Sequence, residues 1–261
     1  MPLEKAPYWT DLYYRVVEHY FWAPQRIGRK SDPKRTSRPW QYWKDKLESQ
    51  ETPLNHILDL LFHIAPDELL DRVVSAFLKR QVSNFKLVAP SPGTIDYNVV
   101  QPDIILSNSR ALVFIEMKVD SQSSIDQFAK YAIAAHCITQ DEPQINSTDL
   151  VLLTRRAAHE EVWKKAKKLG LSDAQSVRAV AMRALRSDST IWGERGVQRY
   201  TKAHPEAVPQ LIDRMTSMGL HVLDYAVLAN VLRHYAAEET TVNRLIQGVL
   251  REFERRELLE H

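Results

Sequence analysis

One cysteine, Cys137, stands in 261 residues. A disulfide framework and a cysteine-rich zinc site are therefore excluded. Glycine is scarce, at 7 against 13 prolines, and no phosphate-cradling glycine loop, no H-E-x-x-H and no G-x-S-x-G is present. Low-complexity tracts and fixed-period repeats are also missing. No stretch reaches the roughly 18 consecutive apolar residues of a membrane span. The longest candidate, 218–232, is interrupted by His221, Asp224 and Asn230. The opening MPLEKAPYWTDLYY lacks the basic-then-apolar order of a secretory signal, so the expected location is the cytoplasm, with a reduced thiol and no membrane partner. A charge excess of one sign is absent too: 35 Lys+Arg against 33 Asp+Glu leave a net of +2. What remains, 44% hydrophobic and 26% charged residues, is ordinary for a globular protein. The length allows one large domain or a core with appendages.

The charge is unevenly distributed. Between residues 26 and 46 stand Arg26, Arg29, Lys30, Lys34, Arg35, Arg38, Lys44 and Lys46 against Asp32 and Asp45, a local net of 8 − 2 = +6. The remainder of the chain is therefore net acidic. Trp40, Tyr42 and Trp43 are interleaved with these cations. Such a segment suits phosphate contact and base stacking; it equally suits a solvated loop whose aromatics dock on a core.

Apolar spacing predicts a first helix with Thr10 as its cap and Trp9, Leu12, Tyr13, Val16, Val17 and Tyr20 on one face. Thr52-Pro53 reads as a second helix start, followed by a helix over 67–83. Strands are expected at 85–89, 96–100, 103–106 and 111–119. Ser124 opens a helix to about 136, and 149–154 reads as a buried strand. Helices are expected at 157–169 and 173–186, the latter with a Ser172/Gln175 capping box. The last third reads as helical, over 205–218, 224–236 and 241–259. This order gives an α/β fold with helical additions at both ends. Its divisions are an N-terminal helix and basic arm (1–47), a core (48–187) and a helical C-terminal region (188–261).

The chemistry concentrates in QPDIILSNSRALVFIEMKVDSQSSIDQFAKYA, residues 101–132. Alternation along a strand puts Glu116 and Lys118 on one face with Leu112 and Phe114, and Met117 on the other with Val113 and Ile115. Burying an acid and an ammonium at the end of an apolar strand is costly unless they are paired or used. A four-residue hairpin loop over 108–111 pairs Ser107 with Leu112 and carries Asp103 opposite Glu116. Directly opposed residues have Cβ atoms about 4.5–5.5 Å apart. Two carboxylates that close repel unless one is protonated or a cation lies between them. Lys118 supplies one positive charge, and a divalent metal would supply the rest.

Pro102-Asp103 followed across a hairpin by Glu116-Met117-Lys118 resembles the PD-(D/E)XK phosphodiesterase superfamily of restriction-endonuclease-like proteins. Gln127 and Tyr131, four apart on the next helix and so on one of its faces, are similar to the Q-x-x-x-Y element of its RecB-like branch. Two decoys in the chain, Pro66-Asp67 and Asp32-Pro33-Lys34, lack the strand-hairpin-strand setting. The resemblance covers roughly residues 48–155. It implies a restriction-endonuclease-like core, a mixed sheet flanked by helices. It also implies Mg²⁺, with Mn²⁺ able to substitute, held by Asp103, Glu116 and the Met117 carbonyl. Glu51, with Glu48 as second choice, matches the family's acidic residue on a preceding helix. Catalysis would rest on Asp103, Glu116, Lys118 and Glu51, with Gln127 and Tyr131 positioning substrate. DNA would be the partner, contacted by Arg26, Arg29, Lys30, Lys34, Arg35, Arg38, Trp40 and Trp43.

Two rival readings use other features. Arg199 and His204 have the R-x4-H spacing of HEPN-type ribonucleases, although Pro205 places the pair at a helix boundary. The alternative is a catalytically silent nuclease-fold subunit for DNA binding or assembly. The last helix, with Val242, Leu245, Val249 and Phe253 on one face, either packs within the chain or joins two chains as a homodimer. His56 and His63 read as polar edges of a packed helix, Cys137 as a buried thiol, and Met215 and Met218 as helix core.

Overall fold

The structure is a computed structural model describing residues 9–22, 51–88, 102–119, 121–155, 157–186, 195–238 and 242–259. The elements run α1 (Trp9–Trp22), α2 (Glu51–Ile64), α3 (Asp67–Leu78), β1 (Lys86–Leu87), β2 (Ile104–Ser107), β3 (Ala111–Met117), α4 (Ile125–Asp141) and β4 (Ser147–Thr154). They continue with α5 (His159–Val162), α6 (Ala166–Leu169), α7 (Ala174–Arg186), α8 (Arg195–Ala203), a 3-10 turn (Pro205–Ala207), α9 (Val208–Ser217), β5 (Gly219–Asp224), α10 (Tyr225–Glu238) and α11 (Asn243–Arg255). The protein is an α/β fold around a five-stranded mixed sheet of order β1-β2-β3-β4-β5. β1, β2 and β3 pair antiparallel, and β3, β4 and β5 pair parallel.

β3 and β4 are central and apolar on both sides, as strands covered on both faces must be. Val113, Ile115, Met117, Val151 and Leu153 face a core closed by α2, α3, α10 and α11. Leu112, Phe114, Leu150 and Leu152 face a second core under α4, α7, α8 and α9. The expected alternation along β3 is therefore realised. The hairpin register is as the loop length requires, Ser107 with Leu112 and Ile104 with Ile115. Among the described residues no helix is long and apolar enough to cross a membrane.

Several boundaries differ from the sequence reading. The largest difference is β5, in a region expected to be helical. Gly219–Asp224 is a short, mixed run whose periodicity does not separate strand from helix, and its pairing with β4, residue for residue from Asp149 to Thr154, decides the matter. Helix α8 was not anticipated either. The helix expected over 157–169 is instead α5 and α6, split where Trp163 forms a parallel bridge with Ser123 and Lys165 turns left-handed at φ 60. Helix α3 stops at Leu78 because Lys79 enters the left-handed region. The caps shift as well. The box at α7 is Asp173/Ser176, each side chain bonding the other's backbone N–H, rather than Ser172/Gln175. Thr10 and Thr52 lie inside their helices instead of capping them. Glu48, the strand expected at 96–100 and the whole 26–46 segment lie outside the described residues.

Helix α11 packs within the chain: Ile246, Val249, Leu250 and Phe253 are buried on the first core. Helix α1 docks on it through a Trp9 Nε1 bond to the Leu245 carbonyl at 2.8 Å, an Arg251–Asp11 ion pair at 2.8 Å and a buried bond from Tyr14 to Glu252 at 2.8 Å. Gly248 makes this approach possible, since a Cβ there would lie 2.1 Å from Trp9 Nε1. Gly248→Ala therefore tests the docking. Alanine favours a helix by about 1 kcal/mol, yet overpacking at the contact costs about 1–3 kcal/mol. The expected result is a lower urea midpoint with a shift in tryptophan emission; an unchanged or raised midpoint contradicts the contact.

Candidate active site at the carboxyl end of β3

Three elements bring charge to the end of β3. One step past the last β2–β3 ladder pair, Asp103 leaves the strand and turns its carboxylate to the backbone: Met117 N–H donates to Asp103 Oδ2 at 2.8 Å. Asn55 Nδ2, on α2, donates to the other oxygen at 2.5 Å. Glu116 is the last acid on β3 and is buried. Its Oε1 accepts from Lys118 Nζ at 2.7 Å and from Gln127 Nε2 at 3.1 Å, and its Oε2 accepts from the Tyr131 hydroxyl. Glu51, in the first turn of α2, accepts from Val119 N–H at 3.1 Å and from the Ser121 hydroxyl. Its Oε2 lies 3.6 Å from Lys118 Nζ. Glu51, Asp103, Glu116, Lys118, Gln127 and Tyr131 thus meet at one point. Met117 contributes its backbone there and buries its side chain on the opposite face.

The local geometry follows from the sequence. Lys118 and Glu116 share a face by alternation, and Gln127 and Tyr131 share one by their i, i+4 spacing in the first turns of α4. That helix starts just after the strand end, with Ser124 at its N-cap, so its opening turns lie over Glu116. Tyr131 is fully enclosed and packs on Phe114 at 5.1 Å between ring centroids.

The electrostatics are unbalanced. Three carboxylates surround one ammonium, so the cluster carries −2 when fully ionised. Burial, then the Glu116 charge, push the Asp103 carboxyl up to about 7. Burial works against the Lys118 ammonium, but Glu116, Glu51 and Asp103 together hold its pKa above the ordinary lysine value. Burial, with Glu116 beside it, drives the Tyr131 phenol well above its usual range. At neutral pH Lys118 is a cation and Tyr131 a hydrogen-bond donor.

Among the described residues no three His, Cys, Asp or Glu side chains form a ready cage for a metal. Magnesium does not demand one, because it uses one or two carboxylates and keeps several waters. The donor set here is all oxygen, and the missing charge is that of one divalent cation. Two buried polar atoms, Asn55 Oδ1 beside Asp103 and Tyr225 Oη in the field of the carboxylates, have no hydrogen-bond partner among the described residues. On these grounds the residues fit a hydrated divalent ion. A cleft of about 540 Å³ opens beside Lys118, lined among others by Ser121, Gln122, Arg155, Glu161 and Lys164. One wall is clipped in place by Ser123 N–H to the Val162 carbonyl at 2.7 Å and Lys164 N–H to the Ser123 carbonyl at 2.9 Å.

Asn55, Ser121 and Tyr225 were not singled out from the sequence. Asn55 carried a readable signal, lying one helical turn after Glu51 and so on the same face of α2. Tyr225 carried none, because it follows a strand that periodicity did not reveal. The DNA-contact candidates Arg26, Arg29, Lys30, Lys34, Arg35, Arg38, Trp40 and Trp43 lie outside the described residues.

The other polar candidates sit elsewhere. His204 follows the end of α8 and stacks on Tyr200 at 4.8 Å. Its charge acts on His136 in the second half of α4, at the opposite end of that helix from Gln127. His56 contacts the Tyr13 hydroxyl at 3.0 Å and His63 the Asp59 carboxylate at 3.4 Å. Cys137 is buried near the Tyr200 hydroxyl. No protein-family model, no curated protein and no solved structure matches this chain.

Proposed function

We propose that the chain is a metal-dependent nuclease with a restriction-endonuclease-like core of the RecB-like kind, hydrolysing phosphodiester bonds of DNA with Mg²⁺. The observation that carries the reading is the meeting of Asp103, Glu116 and Lys118 with Glu51, Gln127 and Tyr131 at one strand end, three carboxylates around one ammonium. Asp103, Glu116 and the Met117 carbonyl would hold the ion, with Glu51 joining directly or through water. When bound, such an ion polarises the scissile phosphate and acidifies a water for in-line attack.

The chain's own groups do the rest. Lys118 remains protonated and so acts as a fixed positive charge toward the phosphate oxygens as they gain negative charge. Gln127 and Tyr131 each donate to Glu116, which fixes the carboxylate's orientation and leaves lone pairs for an ion. Asn55 and the Met117 N–H hold Asp103 in the same manner. The cleft beside Lys118, with Arg155 and Lys164 on its lining, gives a substrate strand a cationic approach. The +6 segment at 26–46 adds a longer-range attraction for a polyanion in this reading.

Linear duplex, circular and single-stranded DNA and RNA, each incubated with Mg²⁺, Mn²⁺ or EDTA, test the proposal. The expected result is cleavage of DNA with either metal and none in EDTA, unaffected by His204→Ala. Metal-independent RNA cleavage lost in His204→Ala supports the HEPN reading instead. DNA binding without cleavage on any substrate supports the catalytically silent one.

A further inference from the structure

Two atoms beside the carboxylates are left over when every hydrogen bond of the site is assigned. Tyr225 opens α10 directly after β5 and is completely enclosed, its ring 5.3 Å from that of Phe253. Its hydroxyl has no partner among the described residues. It lies in the field of Glu51, Asp103 and Glu116, opposed by that of Arg256. Asn55 commits its Nδ2 to Asp103 Oδ1, and its own Oδ1 is buried with no partner. In this orientation the amide N–H faces Asp103, whose other oxygen already accepts from Met117 N–H.

An unpaired buried polar atom is disfavoured by about 1–3 kcal/mol, and phenylalanine would fill the Tyr225 site without that cost. Both atoms therefore need a partner that the described residues do not supply. Its chemistry is constrained. Asn55 Oδ1 can only accept, so the partner must donate, and it must tolerate three carboxylates nearby. A free anion fails the second condition. A water meets both, and one bound to a divalent cation meets them best, because its lone pair is committed to the ion and its two polarised O–H groups require acceptors. Tyr225 Oη can accept one of these.

We infer that Asn55 and Tyr225 are positioning residues that hold the water shell of a divalent cation bound at Asp103. The inference rests on the cation reading proposed above and extends it to two residues outside the motif, contributed by α2 and α10. Partners of this outer kind typically change metal affinity by 10–100-fold.

The test needs no substrate. Mn²⁺ is titrated into the full chain by calorimetry, with free ion followed by electron paramagnetic resonance, and melting is recorded in EDTA. Tyr225→Phe is expected to melt at or above the wild-type temperature in EDTA while binding Mn²⁺ about 10-fold more weakly. Asn55→Ala is expected to weaken binding at least as much, because Asp103 loses its support too. Wild-type affinity in Tyr225→Phe overturns the inference. So does a lower melting temperature in EDTA, which marks the hydroxyl as structural. Those outcomes leave the cation reading standing provided Asp103→Asn weakens or abolishes binding. If the wild type takes up no Mn²⁺, or Asp103→Asn binds it unchanged, the cation reading itself fails and takes the inference with it.

Discussion

If the proposed function holds, Asp103→Ala and Lys118→Ala are each expected to reduce Mg²⁺-dependent DNA cleavage by at least about 10²–10³-fold, the usual loss when one fixed electrostatic group is removed from a reacting centre. The two substitutions fail for different reasons, and the assay separates them. Asp103 is one of the two β-hairpin carboxylates proposed to share an ion, so its loss is expected to weaken metal affinity. Raising Mg²⁺ then recovers part of the rate. Lys118 bonds Glu116 at 2.7 Å and approaches Glu51 at 3.6 Å, so it contributes charge rather than a ligand. Its loss lowers the rate at saturating metal and leaves metal affinity equal or higher, because a competing cation has gone. Gln127→Ala, which removes one of three donors to Glu116, has a milder effect of roughly 10-fold, within the range of outer partners of metal ligands. Rates within twofold of wild type in both Asp103→Ala and Lys118→Ala would refute the assignment of this strand end as the reacting centre.

The second large effect is on stability and its dependence on pH. Asp103 titrates near 3.8 in the unfolded chain and at about 7 in the fold, raised by burial and by Glu116. Between those values the folded protein retains a proton that the unfolded chain has released. Stability in EDTA therefore falls as pH rises from about 4 to 7, by up to roughly 1.4 kcal/mol per pH unit. It is level on this account below 4 and above 7. Asp103→Asn removes the ionisation and with it the slope. At pH 8 that variant should be more stable than the wild type, by on the order of 2–4 kcal/mol. That corresponds to about 5–10 °C for a chain of this size. At pH 4 the two should melt within about a degree or two of each other on the same scale. Mg²⁺ is expected to close the gap at pH 8 by raising the wild type alone. A difference between the two proteins that is the same at pH 4 and pH 8 contradicts the raised Asp103.

These two predictions draw on one property, the surplus of negative charge at the end of β3. A site in which folding is penalised for the same carboxylates that an ion would need trades stability for affinity. The rest of the molecule is built to tolerate that penalty. Two apolar cores sandwich β3 and β4, and the site is held by short bonds from α2 and α4 rather than by loops alone. Glu252, also fully buried, is balanced differently: Arg255 and Arg256 on the same helix pair with it at 3.1 and 3.6 Å, and Tyr14 donates to it. Carboxylates in this fold are neutralised where they serve packing and left in surplus where β3 ends.

The amino-acid sequence alone determined the local geometry of the candidate site, though not every helix cap or boundary. Alternation placed Glu116 and Lys118 on one face of β3, the four-residue hairpin set Asp103 across from Glu116, and the i, i+4 interval aligned Gln127 with Tyr131. Each is a rule of strand or helix geometry that needs no knowledge of neighbouring elements, and each appears in the structure. Helix-forming faces at α2, α3 and α11 were legible for the same reason. Tertiary packing decided the remainder. β5 exists because β4 offers an unpaired edge, which no periodicity in Gly219–Asp224 announces. The helix expected over 157–169 is broken because Trp163 bridges to Ser123, forty residues earlier. Asn55 and Tyr225 reach the carboxylates only because α2 and α10 pack on the same face of the sheet. The scarcity of cysteine and the near-zero net charge, which at first only excluded classes of protein, hold for the whole chain. They left the −2 cluster invisible, because charge summed along a sequence carries no distances, and the fold is what supplies them.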